Sequence, residues 1–549
     1  MTTASLERIS KILSDVAAPS TFSAQRTRPA DDLHLTVEGL GEISFPISSK
    51  QAERLCELAR PARYGHGERT LLDRSVRDTW EIPKSRVKIQ QSQWNRTLLP
   101  VLDQLAEDLG VSAGCRLQAE LHSVLVYAPG QFFLPHQDSE KTDNMVGTLV
   151  VTLPSAFKGG AMVVAHLDEK ATYRGSKKFL SFVAFYADCL HEVRPVKEGY
   201  RIALTYNLML DDSGAARPSK GAKPASATVD ALVEGLREHF ETPLPPRWKW
   251  RKDEPLRDPP NRLVYLLDHQ YTERGLGWQH LKGNDAARSV ALQAAATGCG
   301  CEVVLALTEI REAWSCIEPG WDNHRYGRHR SWRRDEDDEW RDDDPPDDDP
   351  DAYELTDLID RSIMLTRWID SAASKAVPID TSVSDEEVCS TIPSSDLEAY
   401  ASQYEGYMGN YGNTMDRWYR RAAIVLWPLH RAFAVRAEAS PAWALDELRR
   451  HLRSGQLSEA QDKTTSLLPI WPRLAPHEGR RGFFDQALQI ALGLEAKALA
   501  TSLLEPFRVE ELTPRRAPDL VKLASRYGED WLRSLLSAWA PRNRWLRLL

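Results

Sequence analysis

His136 and Asp138 offer an imidazole and a carboxylate two residues apart, in the segment Tyr127-Ala-Pro-Gly130-Gln-Phe-Phe133-Leu-Pro-His136-Gln-Asp138. On a strand, residues two apart face the same side, so this spacing predicts that both side chains reach one ion. A second imidazole, His191, follows His136 by 55 residues, a gap long enough for several strands to bring the chain back. Two imidazoles and a carboxylate on one face of an octahedral ion leave three positions open to other ligands. Arg201 stands ten residues after His191 in the run YRIALTYN, and a guanidinium there can grip a carboxylate through two N–H donors. Tyr127, nine residues before His136, could add a phenol to the same carboxylate.

Two rival pairs share the His-x-acid pattern, His166-Leu-Asp168 and His66-Gly-Glu68. From His166 the gap to His191 is only 25 residues, too short for the return circuit of strands. His166 and Asp168 are therefore expected to be structural. His166 could still line the cavity, since it follows the Gly159-Gly160 turn into a strand. The set His136, Asp138, His191 and Arg201 describes a non-haem Fe(II) centre that takes a 2-oxo acid and dioxygen at its open positions.

Such a set needs a rigid frame. Residues 96–109 carry Leu98, Val101, Leu102, Leu105 and Leu109 at helical spacing, and 50–60 reads as a helix too. From 117 to 210 the runs LQAELHSVLVYA, GTLVVTL, AMVVAHL, KFLSFVAFYA and YRIALTYNLML alternate with Gly, Pro, Asp and Lys, as short strands do. Helices followed by many strands suggest a sandwich or barrel with a helical buttress.

Residues 1–210 are expected to form this unit, with 211–228 a small, polar linker. A mixed α/β region follows over 229–320, with NRLVYLLDH and CEVVLALTEI as strands and DAARSVALQAAAT as a helix. Residues 321–352 segregate charge, five arginines in HRYGRHRSWRR and then twelve acidic residues, and are expected to be disordered. Residues 353–440 form a second mixed region whose run 405–419, rich in Gly, Asn and aromatics, reads as a structured loop. Residues 441–549 read as helical, with Leu445, Leu448 and Leu452 on one face and Phe484, Leu488 and Leu492 on another.

The pattern Tyr127-x-x-Gly130, Phe133, His136-x-Asp138, Gly159-Gly160, His191-Glu-Val and Arg201 resembles the prolyl 4-hydroxylase-like branch of the Fe(II)/2-oxoglutarate dioxygenases, and within it a branch of large proteins. The resemblance covers about 117–210. It implies an α+β chain with a double-stranded β-helix (jelly-roll) oxygenase domain. By it His136, Asp138 and His191 bind Fe(II), Arg201 binds the far carboxylate of 2-oxoglutarate, and Tyr127 assists. It implies hydroxylation of a protein or peptide side chain, prolyl among them, with release of succinate and carbon dioxide and with ascorbate as an accessory reductant. An inactive oxygenase-fold scaffold with a helical interaction region is the competing class. A hydrolase or cupin holding another metal would leave Arg201 unexplained.

The bulk composition agrees with a soluble enzyme. A net charge of -9 argues against coating nucleic acid, though one acidic run supplies much of it. Seven scattered cysteines form no disulfide framework. The opening residues MTTASLERISKILSDV suggest a short amphipathic helix without the apolar core of a signal peptide, and no run of 18 apolar residues occurs. A cytoplasmic location is expected, with no membrane association.

Overall fold

A computed structural model describes residues 3–539, apart from 19, 67–68, 112–114, 139–143, 212–223, 246–255, 274, 318–352, 371–376, 407–411, 475–481 and 513. The acidic segment 321–352 and most of the 211–228 linker thus fall outside the described residues.

Gln91–Leu109 is helical because Trp94, Leu98, Val101, Leu102, Leu105 and Leu109 recur at three- and four-residue spacing, and Gly110 ends it in the left-handed conformation. That stripe is buried against a seven-stranded sheet, where Trp94 stacks on Phe182 at 5.8 Å. The sheet runs Ser23–Arg28, Leu180–Tyr186, Met145–Thr152, Arg201–Asp211, Arg116–Tyr127, Trp80–Pro83, Arg60–Pro61 in spatial order. A smaller sheet runs Glu169–Tyr173, Met162–His166, Leu190–Val193, Phe132–His136, Arg77–Asp78. Pairing is antiparallel throughout both. Val164 of the smaller sheet shares one apolar core with Leu149 and Phe185 of the larger. This is the jelly-roll, and its helical buttress lies on the outer face of the larger sheet. Fully burying one such leucine stabilises by about 1.5–3 kcal/mol.

A second large sheet joins Leu263–Leu266, Cys301–Ile317, Glu354–Asp370, Val377–Val383, Val388–Ser390, Ala401–Glu405 and Thr414–Pro428. Segments on both sides of the acidic run therefore share one sheet. The run 405–419 is not a loop over its whole length. Ala401–Glu405 pairs antiparallel with Thr414–Pro428, and Trp418 and Tyr419 lie within the latter strand. The strand continues to 428 because AAIVLW is apolar on both faces, as a strand covered on both sides requires. Tyr407, Gly409 and Tyr411 lie outside the described residues.

The first helix, Ala4–Ser14, is amphipathic as expected, and its buried Leu6, Ile9 and Leu13 pack with Leu232, Leu236 and Tyr265 rather than with the jelly-roll. The Arg288 Nε donates to the Leu13 carbonyl at 2.9 Å and fixes the helix end. From Ala432 to Trp539 the described chain is helical, and Leu445, Leu448, Phe484 and Leu488 meet in one core with Trp471 and Trp539. Among the described residues no helix is long and apolar enough to cross a membrane. All seven cysteines are free thiols.

Candidate metal centre

His136 closes the Phe132–His136 strand, and His191 stands directly opposite it in the antiparallel neighbour Leu190–Val193. Opposed residues in a sheet hold their side chains in contact range. The two imidazoles accordingly meet with ring centroids 4.1 Å apart and planes tilted by 51°. Crossing planes share a line, and an ion on that line lies in the plane of both rings, where each ring nitrogen donates.

Asp138 reaches the same place by another route than expected. The strand ends at His136, so the same-face geometry of residues two apart does not apply. The register shifts between Phe133 and His136, the chain leaves the sheet, and the Asp138 N–H donates to the Ala187 carbonyl at 3.2 Å. Its carboxylate then lies 3.7 Å from His191 Nε2. The donor atoms of His136, Asp138 and His191 all fall within 4.8 Å of one another.

Hydrogen bonds set the protonation this cluster presents. The Nδ1 of His136 is 2.9 Å from the Leu134 carbonyl, and that of His191 is 3.2 Å from the Cys189 carbonyl. A carbonyl only accepts, so each Nδ1 carries the proton and each Nε2 keeps a lone pair for a metal. Burial, followed by the neighbouring His191, pushes the His136 imidazole down to about 3, so it is neutral at physiological pH. Thr148 donates its hydroxyl to Asp138 Oδ2 at 2.5 Å and orients the carboxylate. The set of two imidazoles and one carboxylate fits Fe(II).

Arg201 is paired across the larger sheet with Tyr127, and both are buried. Its guanidinium carbon lies 5.2 Å from the centre of the Tyr127 ring, and its Nη2 donates to the Thr152 hydroxyl at 3.3 Å. Among the described residues it has no carboxylate partner. Burial lowers its pKa, with the Tyr127 phenol opposing. A buried cation left with one hydroxyl and one ring face is costly by itself and suited to an incoming anion. Gly160 makes room for it: with φ at 60°, a Cβ there would come 3.1 Å from Arg201 Cδ.

The rivals go elsewhere. Asp168 is exposed in a turn and joins no cluster of ligand-type residues among the described residues, while His166 packs with Asp188 and His269. Glu68 lies outside the described residues. Sequence reasoning did not single out Thr148, although it is the lone hydroxyl in the centre of the buried run MVGTLVV, or Asp188, three residues before His191.

The profile of the 2OG-Fe(II) oxygenase superfamily matches residues 122–209, the stretch that holds all five site residues. No curated protein matches the chain. Among solved structures, a prolyl-4-hydroxylase from Pseudomonas putida is similar at 19% identity, over 37% of this chain and 98% of its own, with a TM-score of 0.23. A Trichoplax adhaerens prolyl hydroxylase in complex with a peptide fragment of hypoxia inducible factor is similar at 14% identity, over 38% and 94%, with a TM-score of 0.24. The α-ketoglutarate-dependent epimerase SnoN of nogalamycin biosynthesis is similar at 17% identity, over 40% and 93%, with a TM-score of 0.22. Residues 122–209 thus match the profile of the 2OG-Fe(II) oxygenase superfamily, a family that uses Fe(II) and 2-oxoglutarate.

Proposed function

We propose that this protein is an Fe(II)- and 2-oxoglutarate-dependent dioxygenase that hydroxylates a side chain of a protein or peptide, releasing succinate and carbon dioxide. The observation that carries this reading is the conjunction of a convergent His-Asp-His set with a buried arginine that has no carboxylate partner among the described residues. Prolyl is the first residue to test as substrate, by the resemblance of the Tyr127-to-Arg201 motif to prolyl 4-hydroxylases.

When bound, the metal with 2-oxoglutarate and dioxygen supplies oxidative decarboxylation and removal of a hydrogen atom from substrate. The protein's own residues bind and orient. His136 and His191 present Nε2 because the Leu134 and Cys189 carbonyls hold the Nδ1 protons. Asp138 supplies the negative charge, kept in one orientation by Thr148. Arg201, buried with its guanidinium over the Tyr127 ring, would receive the far carboxylate of 2-oxoglutarate away from bulk water, where a charged hydrogen bond is strong. The neutral state of His136 keeps protons from competing with metal at pH 7. We assign residues 23–210 to the oxygenase unit, since the Ala4–Ser14 helix packs with the region beyond 229 instead, and propose that parts of the chain beyond 229 position a macromolecular substrate.

The test is succinate production by purified full-length protein given Fe(II), ascorbate, 2-oxoglutarate and air. Slow succinate release without substrate, raised by a proline-containing peptide library, is expected. No succinate from the folded, iron-loaded protein would contradict the assignment.

A further inference from the structure

Among the described residues one other His-Asp-His set converges: His166, Asp188 and His269. It has the composition of a metal site without the geometry of one. The rings of His166 and His269 are stacked, with centroids 4.1 Å apart and planes within 16° of parallel, so the two planes meet only far from both rings, beyond the reach of an ion bound to either. The Asp188 carboxylate is already occupied. His269 Nδ1 donates to its Oδ2 at 2.8 Å, the Gln270 N–H to the same oxygen at 3.0 Å, and the Lys282 ammonium to Oδ1 at 3.4 Å. A divalent ion here would meet a buried ammonium. Burial alone would raise the Asp188 carboxyl, but Lys282 and His269 hold it well below the usual carboxylate range.

The backbone around Asp188 faces the other way. Three consecutive carbonyls of this turn hold groups of the candidate metal centre. That of Ala187 accepts the Asp138 N–H at 3.2 Å, that of Asp188 accepts the Gln137 Nε2 at 3.0 Å, and that of Cys189 accepts the His191 Nδ1 proton at 3.2 Å. The side chain of Asp188 is thus gripped by residues 269–282, while the carbonyls on either side of it, of Ala187 and Cys189, hold the two ligands Asp138 and His191. The gripping segment is itself fixed. Both oxygens of Asp285 accept backbone N–H groups, of Asp268 and His269, at 2.9 Å, and Lys282 also donates to the Gln270 carbonyl at 2.8 Å.

We propose that Asp188, His269 and Lys282 form a positioning lock through which the chain beyond the jelly-roll sets the geometry of the metal ligands. This inference rests on the reading of His136, Asp138 and His191 as metal ligands. His269 and Lys282 touch neither metal nor co-substrate; they act on the turn, and the turn orients Asp138 and His191. Without them the carboxylate of Asp188 would be a buried anion short of donors, and the 187–189 turn would move to find water. Partners that orient metal ligands typically change metal affinity by about 10–100-fold.

The experiment is calorimetric Mn(II) titration of full-length protein in the presence of 2-oxoglutarate, with the visible band of the anaerobic Fe(II)/2-oxoglutarate complex as a second readout. Wild type is expected to bind one equivalent. His269→Leu and Lys282→Met are expected to weaken binding about 10–100-fold and to shift the band. His269→Asn, which keeps an N–H donor near the Nδ1 position, is expected to restore both. Gln137→Leu removes the turn's grip on the metal side and is expected to weaken binding as well. It is the deciding variant if His269→Leu fails to fold. Mn(II) affinity within twofold of wild type in every folded variant, even with a lowered melting temperature, would overturn the lock. A second equivalent lost in His166→Ala would overturn it in favour of a metal site. A folded wild type that binds no Mn(II) would overturn the metal reading itself, a result distinct from binding that the variants leave unchanged.

Discussion

Two clusters of the same three side chains, His136/Asp138/His191 and His166/Asp188/His269, are joined through one turn and have opposite characters. In the first, ring planes cross at 51°, the Nδ1 protons are given to backbone carbonyls, and both Nε2 lone pairs remain. In the second, the rings stack within 16° of parallel, and the carboxylate takes donors from an imidazole, a backbone N–H and an ammonium. Residue type and proximity are the same. What separates a ligand set from a structural one is whether its electron pairs are already used, and whether the ring planes meet close to both rings.

Removing everything after residue 215 tests the comparison most completely, because it takes away three donors to Asp188 and the partners of Leu6, Ile9 and Leu13. The fragment is expected to show no cooperative melt by circular dichroism. A fragment that melts cooperatively and binds Mn(II) as the full chain does would show that the later regions serve substrate docking alone.

Next in size are the ligands themselves. His136→Ala, His191→Ala and Asp138→Ala are each expected to abolish measurable Mn(II) binding and succinate production, since two remaining ligands hold a labile ion poorly. His166→Ala is expected to retain binding. Unchanged affinity in His136→Ala with loss in His166→Ala would exchange the roles of the two clusters.

Arg201→Ala is expected to leave the metal in place and to weaken 2-oxoglutarate by two to three decades, because breaking a buried charged pair on one side costs about 3–5 kcal/mol. Arg201→Lys is expected to be milder, keeping charge without the fork. Equilibrium binding of 2-oxoglutarate to the Mn(II)-loaded variants measures both, and affinities within twofold of wild type would remove Arg201 from the site.

The smallest expected effect is on acid stability. Burial is the main cause that lowers both His136, to about 3, and His166, to about 4, from an ordinary 6.5. The folded state then binds fewer protons than the unfolded one over that interval. Stability is therefore full above pH 6.5 and lost as pH falls toward 4, by up to about 3 kcal/mol for His166. The melting temperature of metal-free protein is expected to be lower at pH 5 than at pH 7.5, and His166→Gln is expected to flatten part of that slope. Equal melting temperatures at the two pH values would contradict the burial of these imidazoles as neutral groups.

Much of the site was legible in the sequence, because strands impose a period of two and a return circuit needs length. The 55-residue gap singled out His191, and ten further residues reached Arg201 on the strand that pairs with Tyr127. The jelly-roll strands stood out as apolar runs between turns, and the buttress as a stripe from Leu98 to Leu109. The Asp138 route was not legible: a register shift follows from pairing across strands, which one segment does not encode. Nor was the Asp188–His269 pair, 81 residues apart, since neither position lies in a periodic pattern. The partner of the Ala4–Ser14 helix was hidden for the same reason, because an amphipathic stripe specifies that a face is buried, not against what.

The central claim is that the first cluster, and not the second, holds iron with 2-oxoglutarate. Anaerobic addition of Fe(II) and 2-oxoglutarate to the full-length protein is expected to produce the weak visible charge-transfer band of the chelate. The band is expected to persist in His166→Ala and to vanish in His136→Ala. A folded wild-type protein that shows no band, or a band that survives His136→Ala, would contradict it.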